Sequence, residues 1–569
     1  MKKRLFAGVL TAFVLTSFCL TGAGCSQFGD GTTVDSTKTQ ITVSNYDGGI
    51  GTDWLYAAAA RFEELYADYS FEDDKTGVQV SIVEEETKGS AFQINASGSH
   101  VIFMEEVPIN SWSDYFEDIT DIVTETLPSQ YFSDGESIED KLGEEAKSML
   151  GLGEDDKYYL LPHYEAFRGV QYDVTYFNDN NLFISATGGW TNLEGDLSDG
   201  PDGKTGVIDG VDYSLDDGLP ASFEEFVELM DRIASANIGG APLLWAGANA
   251  NSYFNMLVDA FANAYMGKED IELIYTFDSE GRNVEVITGF DSDGDPIVEE
   301  QPITESTGYL VYQMAGRYYA LQMAKTILSN TSTYAHAASL ELSTTNTAAQ
   351  DIFILDKDEG ASFPGYKDAA MLIEGNYWAN EAKNTIESHD ATYGERQFSW
   401  MPLPTILTGD ADDVPDDATQ TMRDTLYSYG FVKAGITNEG VKNAAKKFLQ
   451  FCYSDSELRA FTVETGMTRN LDYDLSDEEF ESLNSYAQSV WQYREQSEIA
   501  QIRDMSNIYL ANENSLTAYI WSSTLDTGTV QYPYNSMISG ISARDYFEGM
   551  WVSATDWENN NRQYYTDGD

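Results

Sequence analysis

The chain has 569 residues and carries 32 Lys and Arg against 95 Asp and Glu, a net charge of −63. Such a negative surface repels phosphate backbones, which excludes nucleic acid as a partner and argues against anionic ligands and bare anionic lipid. A hydrophobic fraction of 42% and an aromatic fraction of 13% still specify a folded protein, and the length predicts two or more domains of roughly 100–200 residues.

Lys2, Lys3 and Arg4 precede an apolar run from Leu5 to Leu20, and TGAGC follows. This is the charged, apolar and small-residue succession of a secretory signal over 1–24, with 25–39 as a Gly-, Ser- and Thr-rich tether. Cys25 resembles the lipobox cysteine of bacterial lipoproteins, with Gly22 standing where Leu is usual. The alternative is plain secretion with Cys25 incidental. No later run is long and apolar enough to form a second membrane span. Of the three cysteines, Cys452 alone lies in the body of the chain, inside FLQFCYS, where it reads as a buried helix residue. A disulfide framework and a cysteine metal site are therefore excluded.

From Gln40, ITVSNYDGGIGTDW reads as a strand ending in a Gly-rich turn, and LYAAAARFEELYADY as the amphipathic helix that follows. GVQVSIVEEE and HVIFMEEV are the next strands, and SWSDYFEDIT begins another helix. Strands alternating with helices imply a largely parallel sheet with ligand groups at the carboxyl ends of its strands. KYYLLPHYEAFRGVQYD, around Pro162, suits a crossing between two lobes. The Gly- and Asp-rich stretch 188–218 reads as an exposed hairpin or loop. In LPASFEEFVELMDRIA, Ser222 caps a helix with Glu225 three residues on. The segment 271–306 alternates apolar and polar residues and reads as a hairpin insertion. A long helix is expected from about Gly308 to Leu328. DAAMLIEGNYWANEA is a buried strand running into an aromatic turn, and FSWMPLPT, at Met401–Pro404, reads as a second crossing and hinge. A helix pair over VKNAAKKFLQFCYSDSELRAFTVETG comes next, followed by a helical, aromatic-rich remainder.

DSDGDP at Asp291–Pro296 alternates acids like a calcium loop, but Pro296 takes the place of the invariant Gly and Pro302 that of the bidentate Glu. It reads as a hairpin tip, and DGKTGVIDG at Asp202–Gly210 is a weaker signal of the same kind. His100, His163, His336 and His389 lack metal spacing, so no metal is expected. No phosphate-binding, dinucleotide or hydrolase motif appears, and no cofactor is called for. Paired carboxylates such as Glu105–Glu106 keep a secreted glycoside hydrolase as one alternative. A polysaccharide-binding surface adhesin is another. A better signal comes from aromatics at expected strand ends: Trp54, Tyr164, Trp245, Tyr253, Tyr377 and Trp378. Sugar rings offer flat C–H faces to such plates, while their hydroxyls need acceptors such as Asp and Glu. Each of these rings has the core as its alternative destination.

The lipobox-like Cys25, ITVSNYDGGIGTDWLYAAAARFEELY, YYLLPHYEAF, AAMLIEGNYW, FSWMPLPT and NAAKKFLQFCYSDSELRAF, in this order, resemble an extracellular solute-binding protein (family 1) of a bacterial ABC sugar transporter. The maltose-binding branch is the most similar. The resemblance covers about Gln40 to Asn470. It implies a two-lobed α/β fold with a ligand cleft and hinge crossings, lobe 1 from 40–163 and 403–470, and lobe 2 from 164–402 and 471–569. It implies no enzyme. The function it implies is capture of a carbohydrate, an oligosaccharide, by a monomer that delivers it to permease subunits. Such a protein would be held on the outer face of a bacterial membrane by the lipid on Cys25 alone. Asp47, Glu105, Glu106 and Glu165 match binding acids of the family, and Tyr253 with Phe254 a further aromatic contact. Tyr377 falls on a stacking ring, with Trp378 next to it, and either can be the plate.

Overall fold

The computed structural model describes residues 34–561 apart from 47, 86–93, 95–96, 106, 108–112, 144–145, 148–149, 153–156, 278, 356–367, 389–395, 425–427, 502–520 and 526–531. Cys25, Asp47 and Glu106, with the signal segment and most of the tether, lie outside these residues.

Two sheets organise the chain. In the first, the strands run in the order Val78–Glu85, Thr39–Tyr46, Val101–Glu105, Ser428–Val432, Leu161–Pro162. The first three are parallel and the last two pair antiparallel. Val101–Glu105 is central and buried at every position, which is why its sequence is one apolar run ending in an acid. Helices Asp53–Leu65 and Glu439–Cys452 lay their apolar faces on this sheet, and Cys452 is buried as expected.

The second sheet orders Ala241–Leu244, Ala369–Gly375, Arg168–Asp173 and Phe398–Met401. Its core includes the helices Phe223–Ala234, Ala250–Thr276 and Ala315–Ser329. Ser222 caps the first of these by accepting the Glu225 N–H at 3.2 Å, and Glu225 reaches back to the Ala221 N–H at 2.8 Å. Among the described residues no helix is long and apolar enough to cross a membrane.

Several local expectations change. The helix expected from Gly308 is a 3₁₀ turn over Gly308–Gln313, broken at Met314, before the helix proper starts at Ala315. SWSDYFEDIT yields a 3₁₀ turn, Ser113–Tyr115, and the short helix Thr120–Thr124. The hairpin insertion is Asn283–Phe290 with Pro296–Pro302, since 271–276 continue the preceding helix. The 188–218 stretch carries one short ladder, Val207–Ile208 with Val211–Asp212, and its Trp190–Thr191 pairs back to Phe183–Ile184.

Among the described residues the chain passes between the lobes three times. The first passage follows Pro162. The second does not lie at Met401–Pro404: Met401 and Leu403 stay in the second core, and the strand Thr421–Asp424 still pairs beside it with Glu498–Gln501. The first sheet is re-entered only at Ser428. Proline marked an extended stretch, not the passage itself. The third passage follows Leu471 and Tyr473, which belong to the first core, and leads to the helix Ser485–Gln496 against Phe398–Met401. The three are laced together. The Ala166 N–H donates to Asp424 Oδ1 at 3.0 Å, the Glu165 N–H to the Thr468 carbonyl at 2.8 Å, and Asn470 Nδ2 to Asp424 Oδ2 at 3.4 Å.

Candidate functional site

The strand Thr39–Tyr46 delivers the chain to a tight turn, Gly48–Gly51, at its carboxyl end. Gly49 and Gly51 hold φ of +78° and +69°, where a side chain would be strained. Asn45 clamps the turn, its Nδ2 donating to the Tyr46 carbonyl at 2.9 Å and the Gly51 carbonyl at 3.1 Å. From the second lobe, the strand Ala369–Gly375 ends in the corner Asn376–Glu381, which docks on this turn. Asn380 Nδ2 donates to the Gly49 carbonyl at 3.2 Å, and Lys383 pairs with Asp53 at 2.9 Å. A Cβ placed on Gly49 would lie 3.6 Å from Tyr377 Cβ and 3.9 Å from the Tyr164 hydroxyl. These are ordinary contact distances, so glycine is favoured at 49 by its positive φ and not by the approach of the lobes.

Beside this contact lies a cavity of about 370 Å³. The first lobe supplies the turn from Gly48 to Trp54 together with Glu84, Glu464 and Thr465. The second supplies Thr347, Asn380, Glu381, Lys383 and Asn384. Its walls are hydroxyls, amides, carboxylates and main chain, a lining that satisfies a ligand rich in hydroxyl groups. Behind the wall, Glu374 is fully buried. Burial first, and then the nearby Glu381 carboxylate, hold it well above the usual carboxylate range. Gln350 Nε2 bridges the two acids, at 3.3 Å to Glu374 and 2.6 Å to Glu381.

Three of the expected residues meet at the turn. Tyr377 packs over Gly49, and the Tyr164 hydroxyl donates to the Glu105 carboxylate through a short hydrogen bond. Tyr377 is 8% exposed and belongs to the first lobe's apolar cluster although its strand is in the second.

Other expected residues stand elsewhere. Trp245 is fully buried in the second core, edge-on to Phe254 at 5.2 Å. Trp378 is fully buried between Phe353, Phe398 and Tyr486 at 5.6, 5.5 and 5.3 Å. These two rings are core, because the turns that follow their strands rotate them inward. Trp54 touches the cavity, but Phe103 and Phe461 flank its ring at 5.1 Å and the Arg469 guanidinium lies against it. It is floor, with 3% exposure. Tyr253 is half-buried at the margin of the second core.

Glu165, expected as a ligand acid, stands at the crossing between lobes. It accepts from Arg494 Nε at 2.7 Å and from the Thr468 hydroxyl, and it does not line the cavity. Burial works against the Arg494 charge, but the Glu165 carboxylate, with Tyr473 and Glu495, raises the guanidinium above its usual range. Thr347, Asn380, Lys383 and Glu464 had no sequence signal beyond ordinary polar residues on helices.

No protein-family model matches the chain, and no curated protein matches it. Solved structures do. A chitin oligosaccharide binding protein is 12% identical, with 92% of this chain and 100% of that chain covered and a TM-score of 0.52. The maltose-bound MalE3 of T. maritima is 12% identical, with 91% and 99% covered and a TM-score of 0.50. The chain has the two-lobed periplasmic-binding-protein fold. The Gly48–Gly51 turn and the Asn376–Glu381 corner are the facing lips where the two lobes meet, each following the carboxyl end of a strand.

Proposed function

We propose that the protein is the receptor of a bacterial ABC importer for a carbohydrate, an oligosaccharide, held at the outer face of the membrane by a lipid on Cys25. The observation that carries the reading is the polar cavity between the two lips, with Tyr377 as the ring beside it. In support, the two solved structures that share the fold are described as binding chitin oligosaccharide and maltose. In this reading Tyr377 stacks on a sugar face, Glu105 and Tyr164 position it, and Glu84, Glu381 and Asn380 take hydroxyl hydrogen bonds. The protein acts as a monomer and passes the sugar to permease subunits without altering it. A ligand touching both lobes favours the closed arrangement, and the laced passages at Glu165, Asp424 and Thr468 are the hinge.

Thermal melting against a panel of soluble oligosaccharides tests the reading, with reducing ends followed in the same samples. One saccharide class should raise the melting temperature, by about 2.7 kcal/mol of stabilisation at 100 times its Kd. New reducing ends at catalytic protein concentration would replace the receptor with a hydrolase. Retention on insoluble polysaccharide without a shift from soluble sugars would make it an adhesin. Radiolabelled lipid should enter the parent and not Cys25→Ala.

A further inference from the structure

The loop 198–218 of the second lobe folds around a buried carboxylate, Asp216. Asp216 is fully buried, and neither of its carboxylate oxygens accepts a hydrogen bond that meets ordinary geometry. The main chain wraps directly over it. Gly200, at φ +70°, is so close that a Cβ there would lie 3.2 Å from the Asp216 carboxyl carbon and 2.4 Å from its carbonyl oxygen. The wrap is fixed at both ends, by the Gly218 N–H on the Ser198 carbonyl at 2.7 Å and by the Thr405 hydroxyl on the Pro201 carbonyl at 2.7 Å.

Further acids gather here. Asp202, itself buried, accepts the Lys204 N–H at 2.8 Å, and Asp217 accepts the Thr205 hydroxyl at 2.7 Å. Burial comes first for all three: it pushes Asp202 up to about 6, with Asp217 and Asp199 adding, and Asp217 up to about 6, with Asp199 and Asp212 adding, and it holds Asp216 well above its usual range, with Asp202 and Asp217 adding. The backbone N–H groups of Asp202 and Asp216 offset part of that rise at Asp216. Lys204 lowers Asp202, but its ammonium donates to the Ala418 carbonyl at 2.5 Å and lies over the Tyr213 ring. A buried carboxylate among carboxylates is neutralised either by a proton or by a cation.

We propose that this loop is a calcium site, with Asp202 and Asp216 as carboxylate ligands and main-chain carbonyls and water completing the roughly 6–8 oxygens calcium takes. Among the described residues no three acidic, His or Cys side chains stand close enough to chelate alone, so the backbone must contribute. An irregular loop of carbonyls and mixed ligands suits calcium better than magnesium, which demands a small, regular octahedron. The ion would pin the insertion to the turn before Gly218, whose Leu215 carbonyl accepts the Tyr493 hydroxyl from the helix Ser485–Gln496. The inference does not depend on the carbohydrate reading.

The test uses the mature chain, stripped with chelator, in equilibrium dialysis against calcium at physiological ionic strength, where loose association with the acidic surface is screened. Terbium luminescence excited through tyrosine reports the site, since Tyr493 and Tyr172 are close enough to feel the Asp216 charge. A single tight calcium ion per chain is expected, together with a rise of several degrees in melting temperature over chelator and over magnesium. Asp216→Asn should abolish both, Asp202→Asn should weaken both, and Asp291→Asn in the exposed hairpin should leave both intact. If Asp216→Asn fails to fold by circular dichroism, Asp202→Asn decides in the same assays. The absence of a tight ion in the parent overturns the proposal and leaves a protonated Asp216. Parent-like affinity in the folded variants overturns it as well.

Discussion

Tyr377 and Trp378 are neighbours in the chain and belong to different regions of the molecule. Tyr377 leaves the second lobe and packs in the apolar cluster of the first, against the Gly49 turn. Trp378 turns back into its own lobe, where aromatic rings enclose it on several sides. One ring is therefore buried by the meeting of two lobes and the other by the folding of one. The first burial is undone when the lobes separate; the second is undone only by unfolding. Nearly equal exposures, 8% and 0%, hide this difference, so exposure alone does not identify a ligand plate.

The largest effect that sharpens the contrast is expected at Trp378. Trp378→Ala should cost about 3–5 kcal/mol of stability through the cavity it leaves, while the folded fraction keeps parental sugar affinity. Denaturant unfolding and titration calorimetry on one sample separate the two. A parent-like melt with lost affinity would make Trp378 the plate.

Glu374, on the core side of the same strand, gives the next effect through pH. Its folded value lies well above the ordinary carboxylate range, so the folded state holds that proton more tightly than the unfolded chain does. The stabilisation is present in full below the ordinary range and is lost as pH rises through the raised value. Glu374→Gln keeps an amide beside Gln350 and removes the charge. The melting temperature of Glu374→Gln relative to the parent should therefore climb as pH rises from the ordinary carboxylate range through the raised value. A difference independent of pH would mean that Glu374 does not titrate in this way.

Much of this was legible in the sequence, for physical reasons that also set the limit. Alternation and apolar runs located Thr39–Tyr46, Val78–Glu85 and Val101–Glu105, because a strand's period and burial are local properties. The first passage was legible around Pro162. The second was misplaced, since the pairing of Thr421–Asp424 with Glu498–Gln501 is long-range and leaves no local mark. At strand ends the sequence indicated where Trp245, Tyr377 and Trp378 would stand but not which way they would face, because the turn that follows sets that direction. Glu165 looked like a ligand acid, yet its partner Arg494 is 329 residues away in the chain. DGKTGVIDG reads as a weak signal because its Asp202 meets the buried Asp216 only through the fold of the loop.

At Tyr377 the expected loss is in affinity. Tyr377→Ala should melt near the parent, because the ring lies over the bare Gly375 backbone of its own lobe and otherwise packs in the apolar cluster of the other, and should bind sugar about tenfold more weakly. Parental affinity together with a strongly lowered melt would place Tyr377 with Trp378 as core and remove the proposed plate.

The smallest effect is expected where the lips meet through charge. Lys383 and Asp53 join the two lobes at 2.9 Å, but their side chains are 44% and 74% exposed. Such a pair contributes about 0–1 kcal/mol and is screened by salt. It exists only while the lobes touch, so its contribution goes to closure and not to the folding of either lobe. Lys383→Ala should leave the melt of the unliganded protein almost unchanged and weaken sugar binding by no more than about fivefold at low salt. High salt should bring the parent down to the variant, because it removes from the parent what the mutation removes. A loss that is larger and survives high salt would mean that Lys383 touches the sugar directly, since a hydrogen bond inside a closed cleft is shielded from the ions that screen a surface pair.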